Sequence, residues 1–189
     1  MGVPLLLLLI VQSSQPRRMP RTFPIPADMH ETWPGAKLSA AETQVLQKTV
    51  KAEQYVRETK RESEFTLNTA DIELGTLRNA VIVTPTSPIL CGTGGCPIYI
   101  YVRERSGFRK VLDYFGWAYG VANSDAKVPD LVIAANVGGG QVSLRLFRYD
   151  GIVFHSKACE MLTSHADVTP GSWWKVSDIA PCERQNEPR

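Results

Sequence analysis

A chain of 189 residues, 43% hydrophobic and 21% charged, is long enough to bury a core and has room for one domain or one domain plus a tail. Its net charge of +2 excludes the strong basic footprint of a nucleic-acid or anionic-membrane binder. The local basic clusters, Arg17, Arg18 and Arg21 and then Arg57, Lys60 and Arg61, sit in polar stretches and read as solvated surface.

The first element is the apolar run from Val3 to Val11, nine residues followed by Ser13 and Ser14. Such a run is too short to cross a hydrocarbon layer of about 30 Å. It fits the core of a secretory signal over residues 1–13, with Val11 and Ser13 at the minus-three and minus-one positions of a cleavage site. Only Met1 and Gly2 precede it, without the usual basic residue, which points to a start upstream. A buried strand is the alternative, but five consecutive leucines at a terminus pack poorly as one. Export to the periplasm or the extracellular space is therefore expected, with no stable membrane span after cleavage.

Residues 14–36 carry Pro16, Pro20, Pro24, Pro26 and Pro34 without helical or strand period and read as a Pro-rich linker. Residues 37–189 follow as a single disulfide-stapled domain. Ser39-Ala40-Ala41-Glu42 is a capping box, and Leu38, Ala41, Val45, Ala52 and Val56 then recur at helical spacing, so a helix is expected to about Arg61. Its apolar stripe is narrow, as suits a helix lying against a sheet.

From Phe65 the period changes to two. Ala80–Thr84 is a β-branched run closed by Pro85 and Pro88, and Ile98, Ile100 and Val102 alternate with Tyr99, Tyr101 and Arg103. Ser106-Gly107 turns into Phe108–Phe115, a further strand spans Leu131–Val137, and Gly138-Gly139-Gly140 leads into alternating Val142, Leu144 and Leu146. Asp150-Gly151 between two such runs signals a hairpin into Ile152–Ala158. Connections this short force antiparallel neighbours. The expected fold class is α+β: an antiparallel β-meander of about six strands with one N-terminal amphipathic helix packed on it.

Four cysteines admit three connectivities. In an exported chain they read as two bridges; the flexible Gly92–Gly95 linker favours a Cys91–Cys96 ring, and Cys159 and Cys182 then pair by elimination.

The order of these features resembles a group of small exported bacterial proteins in which a helix and an Asp-containing strand precede a Cys-Gly-x-Gly-x-Cys-Pro segment. The matching pieces here are Leu38–Glu42, Asp71–Val83, Cys91–Tyr101, Ser106–Phe115, Asp130–Ile133 and Leu146–Phe154. The resemblance implies the meander and the exported location and brings no activity with it. Relatives of that kind often carry a calcium-like loop before the early strand. Asp71-Ile72-Glu73-Leu74-Gly75 has lost the oxygen-ligand series such a loop needs, so no calcium site is carried over.

Catalytic and cofactor patterns are weak. Gly92-Thr93-Gly94-Gly95 runs into Cys-Pro and a strand, whereas a phosphate loop opens a helix. His155, Cys159, His165 and Cys182 are zinc-ligand types at spacings that match no common closed site. With both cysteine pairs oxidised no thiolate nucleophile remains, and no Gly-x-Ser-x-Gly elbow occurs. Asp113, Asp125, Asp130 and Asp150 fall at turns or strand ends, where Asp commonly bonds local backbone. Catalytic residues, metal and cofactor are accordingly expected to be none. The aromatics are more pointed. Tyr99 and Tyr101 share a strand face, and Phe115, Trp117 and Tyr119 alternate beyond it, as Phe147 and Tyr149 do later. Left exposed, Tyr99, Tyr101, Trp117 and Tyr119 would form a binding face; covered by the helix and by the C-terminal segment with Trp173 and Trp174, the aromatics would form a second core.

The expected function is an exported, non-enzymatic binding module, acting through that face or through the loops around Cys91–Cys96 on an envelope protein or cell-wall component. One alternative is an exported inhibitor of a cell-wall hydrolase, presenting a loop such as Ser106-Gly107-Phe108. An enzyme of unknown reaction is the other.

Overall fold

The alternation from Phe65 onward builds strands that close over two apolar interiors rather than one. The protein is described by a computed structural model at residues 26, 29–53, 56, 65–122, 127–163 and 179–181. Helix α1 (Ala40–Lys51) precedes β1 (Thr66–Leu74), β2 (Leu77–Thr86), β3 (Cys96–Glu104) and β4 (Gly107–Gly116), which form a four-stranded antiparallel sheet in that order. A second antiparallel sheet takes β5 (Ala118–Ala122), β6 (Asp130–Gly138), β7 (Gln141–Tyr149), β8 (Phe154–Thr163) and β9 (Ile179–Pro181), again in chain order. The α+β class and the meander connectivity therefore hold. The strand count differs from about six: nine strands are present among the described residues, divided between two sheets.

The division has a local cause. Gly116 ends β4, and a Cβ there would lie 2.5 Å from both the Ala134 carbonyl oxygen and the Ile133 γ2-methyl. Only a residue without a side chain lets the chain pass so close to β6. Trp117 N–H then donates to the same Ala134 carbonyl at 2.9 Å, and Ala118 continues opposite Ala134 as β5. The chain thus leaves one sheet and enters the other within two residues. The outer edge strand β4 carries a bulge at Val111, opposite Ile100/Tyr101 of β3, and the charged Arg109, Lys110 and Asp113, which blunt it against strand addition.

Between the sheets lies the main core, with Ile72, Ile82, Ile98 and Ile100 facing Leu131, Ile133 and Phe147. On the outer face of the first sheet α1 buries Leu46 and Val50 against Val81, Val83, Tyr99 and Tyr101. The capping box forms as expected, with Ser39 Oγ accepting from Glu42 N–H and the Glu42 carboxylate accepting from Ser39 N–H. The helix ends before the expected Arg61: Ala52 is its C-cap, and most of residues 54–61 lie outside the described residues. Arg103 of β3 reaches Glu42 at 3.5 Å and Asp71 at 2.7 Å, fixing the helix start to the sheet. Beyond the second sheet a third cluster gathers Met29 with Val132, Ala134, Leu144 and Leu146.

Part of the stretch read as linker is bound to both sheets. His30 pairs with Tyr119 on the edge of β5, and Gly35 N–H donates to the Thr69 carbonyl of β1 at 2.8 Å. No helix among the described residues is long and apolar enough to cross a membrane. The signal segment, residues 1–13, lies outside the described residues.

The crossing at Gly116 gives a direct test. Gly116→Val is expected to lower stability by roughly 1–3 kcal/mol, the usual cost of forcing atoms into a packed site, as read from chemical denaturation. The same change at Gly139, whose Cβ would meet nothing within 4 Å, involves no such collision, although its positive φ still disfavours a side chain.

Candidate functional site

Antiparallel connectivity sorts the loops to two ends, and the ends differ in charge. At one lie the turns joining β3 to β4 and β7 to β8. Arg109 Nη1 of the first sheet donates to the Ile152 carbonyl of the second at 2.7 Å, and its Nε pairs with Glu104. Asp150 Oδ1 accepts the backbone N–H groups of Ile152 and Val153, while Oδ2 meets His155 Nε2 at 2.7 Å. The bonds from Val153 and Ile152, then that from His155, pull the Asp150 carboxyl down to about 2. These bonds organise a turn. Ser106 and Gly107 belong to the β3–β4 turn, and the Phe108 ring packs edge-on against Tyr101, 6.4 Å between centroids.

The opposite end is built on the disulfide. Cys91 and Cys96 are joined, as their glycine linker suggests. Inside the ring Gly92 and Gly95 exchange backbone hydrogen bonds at 2.8 and 3.1 Å. Gly95 takes φ +125°, and a Cβ on it would come within 2.8 Å of Gly116 Cα, so the ring rests directly on the crossing between the sheets. Across that crossing Asn136 of β6 donates its backbone N–H to the Gly94 carbonyl at 3.3 Å, and its Oδ1 accepts from Trp117 Nε1–H at 3.1 Å. The disulfide ring therefore ties the first sheet to the second.

Near this tie several apolar side chains are at least partly exposed. Ile89 is 42% exposed, Phe115 36% and Val137 43%, and Trp117 is half-buried. None of the three segments that meet here, 87–96, 115–117 and 136–141, contains an ionisable acid or base apart from the bonded cysteines. Apolar exposure also occurs elsewhere, at Val45 and Ile152, but Ile152 sits among Arg109, Asp150 and His155.

The four aromatics expected to form one binding face are dispersed. Tyr99 and Tyr101 are buried under α1, because the helix covers the face of β3 on which they stand. Tyr101 donates to Glu53 at 2.7 Å, and burial, reinforced by that carboxylate, pushes its phenol far above the ordinary range. Lys110 links Glu53 to Asp113 and lies 5.4 Å from the Tyr99 ring centre. Tyr119 points into the space between the sheets beside Trp33, and burial raises its phenol as well. Of the four, Trp117 alone stands at the uncharged end. The second core weighed as the alternative to an exposed face thus exists for the tyrosines under the helix; Trp173 and Trp174 lie outside the described residues.

Of the zinc-type residues only His155 and Cys159 are described. Cys159 is disulfide-bonded, and Cys182 and His165 lie outside the described residues. Among the described residues no group of three or more His, Cys, Asp or Glu side chains is placed to hold a metal. Of the carboxylates, Asp130 is buried and gripped by both Arg148 Nε at 2.9 Å and Nη2 at 2.7 Å, Asp113 pairs with Lys110, and Asp125 lies outside the described residues. Ile89, Val137 and Asn136 went unremarked in the sequence. Their only local signal is that each adjoins a Gly- or Pro-containing turn. Compared with protein-family models, curated proteins and solved structures, the chain matches none.

The charged end makes a pH prediction. The Asp150 carboxyl titrates below its ordinary 3.8, so its contribution to the β7–β8 turn is complete above that pH and disappears as the pH falls through about 2. Amide protection factors at Ile152 and Val153, corrected for intrinsic exchange at each pH, should fall over that interval in the wild type and be low and flat in Asp150→Ala.

Proposed function

We propose that the protein is an exported, non-enzymatic binding module that recognises an uncharged protein surface in the cell envelope or outside the cell. The observation that carries this reading is the end built around Cys91–Cys96, where Ile89, Phe115, Trp117 and Val137 are exposed or half-exposed among segments without charge. Centres of protein interfaces are depleted of charged residues and enriched in aromatic ones, with a few anchored rings carrying much of the binding energy. Trp117, oriented by its bond to Asn136, suits that role. Carbohydrate is less well served, since Ile89 and Val137 offer no ring face for a sugar. Insertion into lipid is opposed by the exposed glycine turn at 138–140, whose backbone groups would lose water. Export is supported by the Cys91–Cys96 bridge and the bonded Cys159, which belong to an oxidising compartment, together with the apolar run of residues 3–11.

A photo-crosslinking residue placed at Val137, and separately at Ile152, tests the reading in the native compartment. The expected result is one protein adduct from position 137 on a mature chain beginning at Ser14. That adduct should fall at least tenfold on Phe115→Asp and be missing from position 152. Equal adducts from both ends, or none from position 137, would contradict it.

A further inference from the structure

The uncharged end contains a short relay from sulfur to ring. The Cys91–Cys96 bond closes a ring that holds Gly94; the Gly94 carbonyl accepts Asn136 N–H; and Asn136 Oδ1 accepts Trp117 Nε1–H. Asn136 stands two residues beyond Ala134, whose carbonyl accepts Trp117 N–H, so strand alternation turns the Asn136 N–H to the same side, past the end of β5 and towards the ring. Three of the four residues inside the ring are glycine. Glycine has the most conformational freedom to regain, so without the sulfur bond the carbonyl that Asn136 needs is held only from the Gly95 side, by the Gly92–Gly95 pair and the packing of Gly95 on Gly116. Both cysteines are half-exposed, within reach of a small reductant.

We propose that the Cys91–Cys96 disulfide is a redox latch on the recognition surface: oxidised, it holds Asn136 and through it the Trp117 indole, and reduced, it releases both. In the reducing step a dithiol gives up two electrons and two protons and closes to its own disulfide. The Cys91–Cys96 bond breaks and each sulfur leaves as a thiol. The two sheets keep their ladders, because neither ladder contains the ring's tie to Asn136. This inference rests on reading the uncharged end as the binding surface, although its test does not.

The test is amide and indole NMR on the full chain, with three samples: oxidised wild type, wild type with dithiothreitol, and Cys91→Ser/Cys96→Ser, which leaves the Cys159 bridge in place. Loss of the latch should speed exchange at Asn136 N–H at least tenfold and move the Trp117 indole signal, while Ile100 and Ile133 amides stay protected. Unchanged Asn136 and Trp117 signals would overturn the proposal. Loss of protection at Ile100 and Ile133 in the double variant would also overturn it, because the ring would then be holding the fold. Should the double variant not be obtained, oxidised Asn136→Ala decides. It must move the Trp117 indole signal and leave Gly92 and Gly95 in place, and an unmoved indole sinks the latch. No binding partner enters this experiment, so its failure leaves the recognition reading standing, and failed crosslinking leaves the latch standing.

Discussion

Everything in this fold depends on one close approach, the passage of the backbone at Gly116 against Ala134 and Ile133. A strand that could not pass there would have to fold back along the free edge of β4, and the sheets would become one. Because it passes, β3 and β6 each lie between apolar layers. Both read as nearly unbroken buried runs, Pro97–Val102 and Asp130–Ala135. Strands buried on both faces are what a layered domain needs to exclude water from more than one core.

The same passage sets where function can reside. Gly95 rests on Gly116, Asn136 reaches across to Gly94, and Trp117 follows directly, so the disulfide ring, the crossing and the Trp117 indole are one construction. At the far end the sheets meet instead through Arg109 and the Ile152 carbonyl, beside the Arg109–Glu104 ion pair and the Asp150–His155 hydrogen bond. An end whose polar side chains already bond one another offers little to a partner, whereas an uncharged apolar end gains by being covered.

Local patterns were legible and non-local ones were not. The Ser39–Glu42 capping box, the Asp150-Gly151 hairpin and the Cys91–Cys96 ring each involve residues within a few positions of one another, and each formed as expected. The break at Gly116 was not legible, because alternation runs on through Phe115, Trp117 and Tyr119 and only the neighbouring β6 shows why a side chain is excluded. Alternation also cannot say which face a helix will cover, and so Tyr99 and Tyr101 could be read as a surface or as a second core; under α1 they are a core. The Trp117–Asn136 bond spans 19 residues and leaves no mark on either local pattern.

The most direct test of the two-sheet account is the pattern of nuclear Overhauser effects at the crossing. The account predicts strong contacts from the Gly116 α-protons to the Ile133 γ2-methyl, with the Trp117 amide hydrogen-bonded to Ala134. Cross-strand contacts pairing β5 with β4 as a hairpin, with Gly116 remote from Ile133, would contradict it.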